Sequence, residues 1–80
     1  MIIAVFRTRE HTLKFASELN RRGYSASVVN TPREVHSGCG VSVRFDERAS
    51  GVARKLIGYF DFDSFAGFYV SETKGYRFIQ

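Results

Sequence analysis

Cys39 is the one cysteine in 80 residues, and it closes the segment Thr31-Pro32-Arg33-Glu34-Val35-His36-Ser37-Gly38-Cys39-Gly40. A thiolate is the nucleophile in sulfur transfer and in thiol redox chemistry. Gly38 and Gly40 remove steric cover on both sides and let backbone N–H groups turn toward the sulfur. Such amides favour an anion, as would the guanidinium of Arg33 or Arg44. A second reading of the same residue competes with this one. Cys39 shares parity with Val41, Val43 and Phe45, so a strand that begins early would point it inward, as a small buried hydrophobe. The Gly-Cys-Gly setting favours exposure.

Sharper chemistry finds less support in the residue types. His36-x-x-Cys39 could pair a base with a nucleophile, but no third group is placed to orient the imidazole, and nothing supplies an oxyanion site. As metal ligands the same pair needs two more, and His11 is the only other imidazole. Ser37 reads as a turn residue, and Asp61 and Asp63 as an exposed pair of carboxylates without an acid–base task. No metal or cofactor is expected, and a stand-alone enzyme is not the favoured reading.

The elements that must position Cys39 follow from periodicity. Ile2 to Phe6 is apolar at every position and reads as a central strand. Thr8 can cap a helix with apolar positions Leu13, Phe15, Ala16 and Leu19. Arg21 and Arg22 complement its C-terminal dipole, and Gly23 supplies a left-handed stop. Ser25 to Val29 is a second strand and Asn30-Thr31-Pro32 a turn. Val41 to Phe45 alternates cleanly as a third strand. Asp46 can cap a second helix carrying Ala49, Val52, Ala53, Leu56 and Ile57 inward, with Gly58 as its end. Gly67 to Ser71 is a fourth strand, and Lys74-Gly75 turns the chain into a short extra strand, Tyr76 to Ile79.

Strand–helix–strand–strand–helix–strand is the order of the ferredoxin-like split βαββαβ arrangement, an α+β fold with a four-stranded antiparallel sheet and two helices on one face. Residues 1–80 form a single domain by length. The ten residues that join the second and third strands are long for a hairpin connection in so small a domain, and such loops often carry function. With Ile3 and Val5 directed to the helices, Ile2, Ala4 and Phe6 would form an apolar open face. That face calls for a cover, met by a homodimer or a docked partner, or by the C-terminal aromatics folding over it.

Composition sets the outer limits. A 44% apolar chain with 12 aromatic residues is globular rather than disordered. The longest apolar run is five residues, too short for a membrane span, and no leader pattern is present, so a cytoplasmic protein is expected. Residues 1–45 hold seven Lys/Arg against three Asp/Glu, while residues 46–80 hold five of each. Nine of the twelve cations are arginine, suited to planar anions or an acidic partner surface. Gly67-Phe68-Tyr69-Val70 is similar to the aromatic core of the RNA-recognition motif but follows the second helix instead of preceding it, so nucleic acid is not expected as the partner.

Pro32-Arg33-Glu34-Val35-His36-Ser37-Gly38-Cys39-Gly40-Val41, followed by Val43-Arg44-Phe45, resembles the selenium/sulfur (Se/S) carrier protein-like family, a small bacterial domain with Pro-Arg-Glu and Ser-x-Cys-Gly segments. The resemblance extends over roughly residues 2–70 and is distinctive in the loop. It implies a non-enzymatic carrier in which Cys39 holds a chalcogen as a persulfide or selenopersulfide. A cysteine desulfurase-type donor would load it and a second protein would accept the cargo. Arg33 and Arg44 would stabilise the anionic sulfur, with Gly38, Gly40 and His36 completing the loop. The alternative class is a protein-interaction or regulatory module in which Cys39 is structural; RNA binding is a third.

Overall fold

The computed structural model describes residues 1–36 and 38–79. Five strands and two helices follow in the order β1 (Ile2–Phe6), α1 (Arg9–Arg21), β2 (Ala26–Asn30), β3 (Val41–Phe45), α2 (Ser50–Tyr59), β4 (Phe65–Glu72) and β5 (Gly75–Phe78). β1 is buried at all five positions and takes the centre of one antiparallel sheet of order β2-β3-β1-β4-β5. A strand apolar on both sides has no face for water, so flanking strands and covers on both faces are required of it. The sheet has five strands rather than four. β4 begins at Phe65, two residues earlier than its alternation suggests, and β5 pairs along its outer edge from Tyr69↔Phe78 to Glu72↔Gly75. No helix among the described residues is long and apolar enough to cross a membrane.

Both helices pack on one face. Ile2, Ala4 and Phe6 of β1, Val43 and Phe45 of β3 and Phe68 of β4 meet Phe15 and Leu19 of α1 and Ala53 and Leu56 of α2 in one cluster. Phe6, Phe15 and Phe62 sit at its centre with ring centroids 5.2–5.7 Å apart, the offset and edge-on spacing that aromatic quadrupoles favour. On α1 the buried stripe is Thr12, Phe15, Ala16 and Leu19, an unbroken three- and four-residue spacing, whereas Leu13 is 45% exposed. α1 starts on the Thr8 side chain, which accepts the His11 N–H. It stops at Gly23 (φ +88°), where the Tyr24 N–H reaches back to the Leu19 carbonyl.

α2 departs from expectation at both ends. Asp46 caps a single 3₁₀ turn, Glu47–Ala49, that leads into the helix; the Arg48 N–H donated to its carboxylate holds Asp46 below the usual carboxylate range. Gly58 does not end the helix. Its φ is not left-handed, and the chain leaves the helix two residues later because Phe60 adopts an extended conformation and packs against the core.

The open face is the reverse of the sequence expectation. Ile3 and Val5, not Ile2, Ala4 and Phe6, point away from the helices. Register explains why: Ile3 stands opposite Arg44 and Val5 opposite Ser42, the two polar positions of β3, so the bulky partners Val43, Phe45 and Phe68 fall on the other side. Ile3 and Val5 are nonetheless fully covered. Val35 from the β2–β3 loop seats on them, flanked by Ala66, Tyr69 and Tyr76. The cover is intramolecular, so the reason for expecting a second copy on this face falls away.

Burial differs sharply along one rung of the helix-facing side, where Val28 of β2 pairs with Val43 of β3. Val43 is 0% exposed and Val28 41%. Val43→Ala should cost about 2–3 kcal/mol of unfolding free energy in urea titrations, and Val28→Ala no more than about 0.5 kcal/mol.

Candidate functional site

The β2–β3 loop crosses from one face of the sheet to the other around the end of β1. It begins with a turn in which the Val35 N–H donates to the Pro32 carbonyl, placing Val35 on the open face. Glu34 reaches over Gly75 at the start of β5. Gly38 then passes so close to β1 that an added Cβ would lie 2.6 Å from Val5 Cγ1 and 3.2 Å from the Phe6 carbonyl oxygen. The Cys39 N–H donates to that same Phe6 carbonyl at 3.1 Å, and the Gly40 carbonyl accepts the Thr31 N–H at 2.9 Å. Gly38 and Gly40 have φ values of +105° and +99°, so the bend that presents Cys39 is made by two residues without a Cβ. Ser37, read as a turn residue, lies outside the described residues.

The result is an exposed thiol on the helix side of the sheet. Its sulfur lies 3.7 Å from the hydroxyl of Thr12 and 3.7 Å from the Val41 carbonyl. Thr12 is fully buried in the first turns of α1, and its hydroxyl also lies 3.1 Å from the Thr8 carbonyl, to which it can donate. That carbonyl already accepts the Thr12 N–H at 3.3 Å. The hydroxyl can therefore rotate toward the sulfur without leaving the Thr8 carbonyl unpaired. In the thiol form the S–H donates to Val41 or Thr12; in the thiolate form Thr12 becomes the donor. Thr12 carries little sequence signal, because a threonine in an apolar stripe reads as filler. Its one signal is its place in the 12-15-16-19 spacing.

The cationic residues anticipated around the sulfur are not its polar partners. Arg44 projects from the opposite face, across from Ile3. Arg33 is exposed on the turn that lies against the open face. His36 is exposed and makes no side-chain hydrogen bond among the described residues. Near in the chain to the groups that hold Cys39 stand Arg7 and Arg9, on either side of the helix cap, and Lys14, whose ammonium lies over the Phe60 ring. Beyond them, His11 Nδ1 meets Ser64 Oγ at 2.6 Å and Asp63 Oδ1 at 3.9 Å. Both groups approach the same ring nitrogen, so no Ser–His–Asp relay is formed. No cluster of three or more metal-ligating side chains occurs among the described residues.

Comparison with known families bears directly on this loop. Residues 1–61 match the family described as "Putative Se/S carrier protein-like". The chain belongs to that family. The match runs from β1 to just past α2, includes the whole Cys39 loop, and leaves β4 and β5 outside it. No curated protein and no solved structure matches the chain.

The two glycines separate strain from collision. Gly38→Ala meets both an unfavourable φ and the Val5 side chain and should cost about 2–4 kcal/mol, whereas Gly40→Ala meets open space and should cost about 1–2 kcal/mol, read from urea midpoints. Thr12→Val should slow alkylation of Cys39 by iodoacetamide about twofold, since a hydrogen bond near 1 kcal/mol that favours the thiolate also blunts its nucleophilicity, and Thr12→Ser should restore it.

Proposed function

We propose that this chain is a carrier that holds sulfur or selenium on Cys39 and relays it between protein partners in the cytoplasm. The observation that carries the reading is an exposed thiol on a loop pinned to β1, in a chain of the Se/S carrier-like family. We also read β1 through β4 as the ferredoxin-like split βαββαβ arrangement, with β5 as an addition; the neighbour order of the strands supports it.

The chemistry is thiol exchange and consumes no oxidant. The Cys39 thiolate attacks the outer chalcogen of a donor persulfide, R–S–SH. A new bond forms from Cys39 Sγ to that sulfur, the donor S–S bond breaks, and its electron pair leaves on R–S⁻. The product is Cys39–S–SH, or Cys39–S–SeH from a selenopersulfide. Delivery repeats the exchange with an acceptor thiolate, and Cys39 leaves as the thiolate it was.

The protein's task is to present and steady an anionic sulfur. The Thr12 hydroxyl supplies a donor when the sulfur is charged, and the first turn of α1 lies beside it. The bend at Gly38 and Gly40 keeps side chains off the line of attack. Arg33 and His36 on the loop, and Arg7 and Arg9 beside the helix cap, are all exposed, and an acidic partner surface fits them best. A purely structural cysteine is disfavoured because Cys39 contributes no buried surface to either apolar cluster.

Incubation with a cysteine desulfurase and cysteine should add about 32 Da, one sulfur atom, to the intact protein. Reducing agent should remove it, and Cys39→Ser should show none. No adduct under conditions that load a known sulfur carrier would overturn the reading.

A further inference from the structure

β2 forms one outer edge of the sheet, and its outward backbone groups follow from register. Thr31 pairs with Gly40 through a ladder bond, so Ser27, Val29 and Thr31 turn their N–H and C=O groups to β3. Ala26, Val28 and Asn30 turn theirs outward. Ala26 is already satisfied: the Asn20 carboxamide donates to its carbonyl at 3.1 Å and accepts its N–H at 3.0 Å, standing in for a neighbouring strand. Val28 and Asn30 have no such partner among the described residues.

The strand that would satisfy them is uncharged along its whole length, Ala-Ser-Val-Val-Asn, in a chain of net charge +4. It carries no proline, lysine or bulge, the usual protections of an edge. The opposite edge, β5, carries Arg77 in an ion pair with Glu72 and follows Lys74 in the turn. Two copies of a cationic chain therefore meet with least repulsion along β2.

We propose that β2 pairs antiparallel with β2 of a second copy, about a two-fold axis at Val29, to give one continuous ten-stranded sheet. In this register Val28 of each copy exchanges both ladder bonds with Asn30 of the other. Ala26 falls opposite Pro32 of the second copy, which has no N–H to give, and Ala26 needs none because Asn20 holds it. The alternative register, centred on Val28, sets Asn30 against Ala26, whose N–H and C=O the Asn20 carboxamide already holds, so both Asn30 groups would go unpaired.

The side chains agree with this axis. Asn20 stands beside Ala26, and Leu13, on the same flank seven residues earlier, lies about 10 Å back along α1. Three residues of strand, from Ala26 to Val29, also span about 10 Å. Leu13 is thus level with the axis, and the two exposed apolar side chains of this flank, Leu13 at 45% and Val28 at 41%, gather around it. α1 rides over β2 and β3, which sets two copies of the helix about 10 Å apart, the distance at which helices pack. Arg9 then faces Ser17 of the second copy rather than a cation. Thr31 and Pro32 border the paired strands, while Cys39 of each copy is held back against β1 by the Phe6 carbonyl.

Sedimentation of the full chain in reducing buffer, from about 10 μM to about 1 mM, should show conversion to a species of twice 9.1 kDa. Val28→Pro removes an outward N–H without touching the β3 ladder, and Leu13→Lys puts a charge on the axis. Each should raise the dissociation constant at least about tenfold with an unchanged circular dichroism spectrum. If Val28→Pro does not fold, Leu13→Lys alone decides, since its side chain is exposed. Amide exchange at Val28 and Asn30 should slow on dimerisation, while Ala26 stays protected in both forms. A chain that is monomeric throughout, or a dimer indifferent to the folded variants, would overturn the proposal. Neither result bears on loading of Cys39, which is read separately by mass.

Discussion

The dominant constraint is that β1 has no hydrophilic side. Its five residues are all buried, so one face must be roofed by helices and the other by something else. The something else is the β2–β3 loop. Val35 closes the apolar pair Ile3 and Val5, Gly38 passes in contact with Val5, and the Cys39 amide binds the last carbonyl of β1. The loop that carries the thiol is therefore part of the hydrophobic core's second half. Its hold on β1 delivers the sulfur to the helix side.

That arrangement reconciles two demands on the same ten residues. An exchanging thiol must be reachable, and a long polar loop tends toward disorder, which would scatter its position. Fastening the loop at Val35, Cys39 and Gly40 restrains the backbone while the side chain remains exposed. Thr12 completes the setting from a different element, so the sulfur's surroundings are shared between α1 and β3 instead of being assembled within one loop.

Much of this was legible in the residues alone. β1 and β3 fall where their apolar patterns place them, and the Thr8 cap and Gly23 stop bound α1, because each rests on a local rule with a local cause. Cys39 stood out through its glycine neighbours, and the family likeness lay in the same loop. What escaped were relations across the chain. Neither the facing of Ile3 against Ile2 nor the return of Val35 onto β1 is encoded by spacing; both depend on which strands pair in which register. Arg44 illustrates the limit: five positions from Cys39 in the chain, it belongs to the opposite surface of the sheet. Thr12 is hidden for the converse reason, being distant from Cys39 in the chain and adjacent to it in space. Gly58 shows a composition rule yielding to packing, because Phe60 draws the chain into the core only after the helix has passed the glycine.

The solitary sulfhydryl has a kinetic corollary. Many thiol proteins discharge an adduct by turning a neighbouring cysteine of their own upon it, so that release proceeds at the pace of a first-order internal event. This polypeptide holds no second thiol for such a step. Whatever becomes attached at position 39 can depart only when another molecule collides with it, and the residence time of the attachment is governed by the concentration of takers in the surrounding medium.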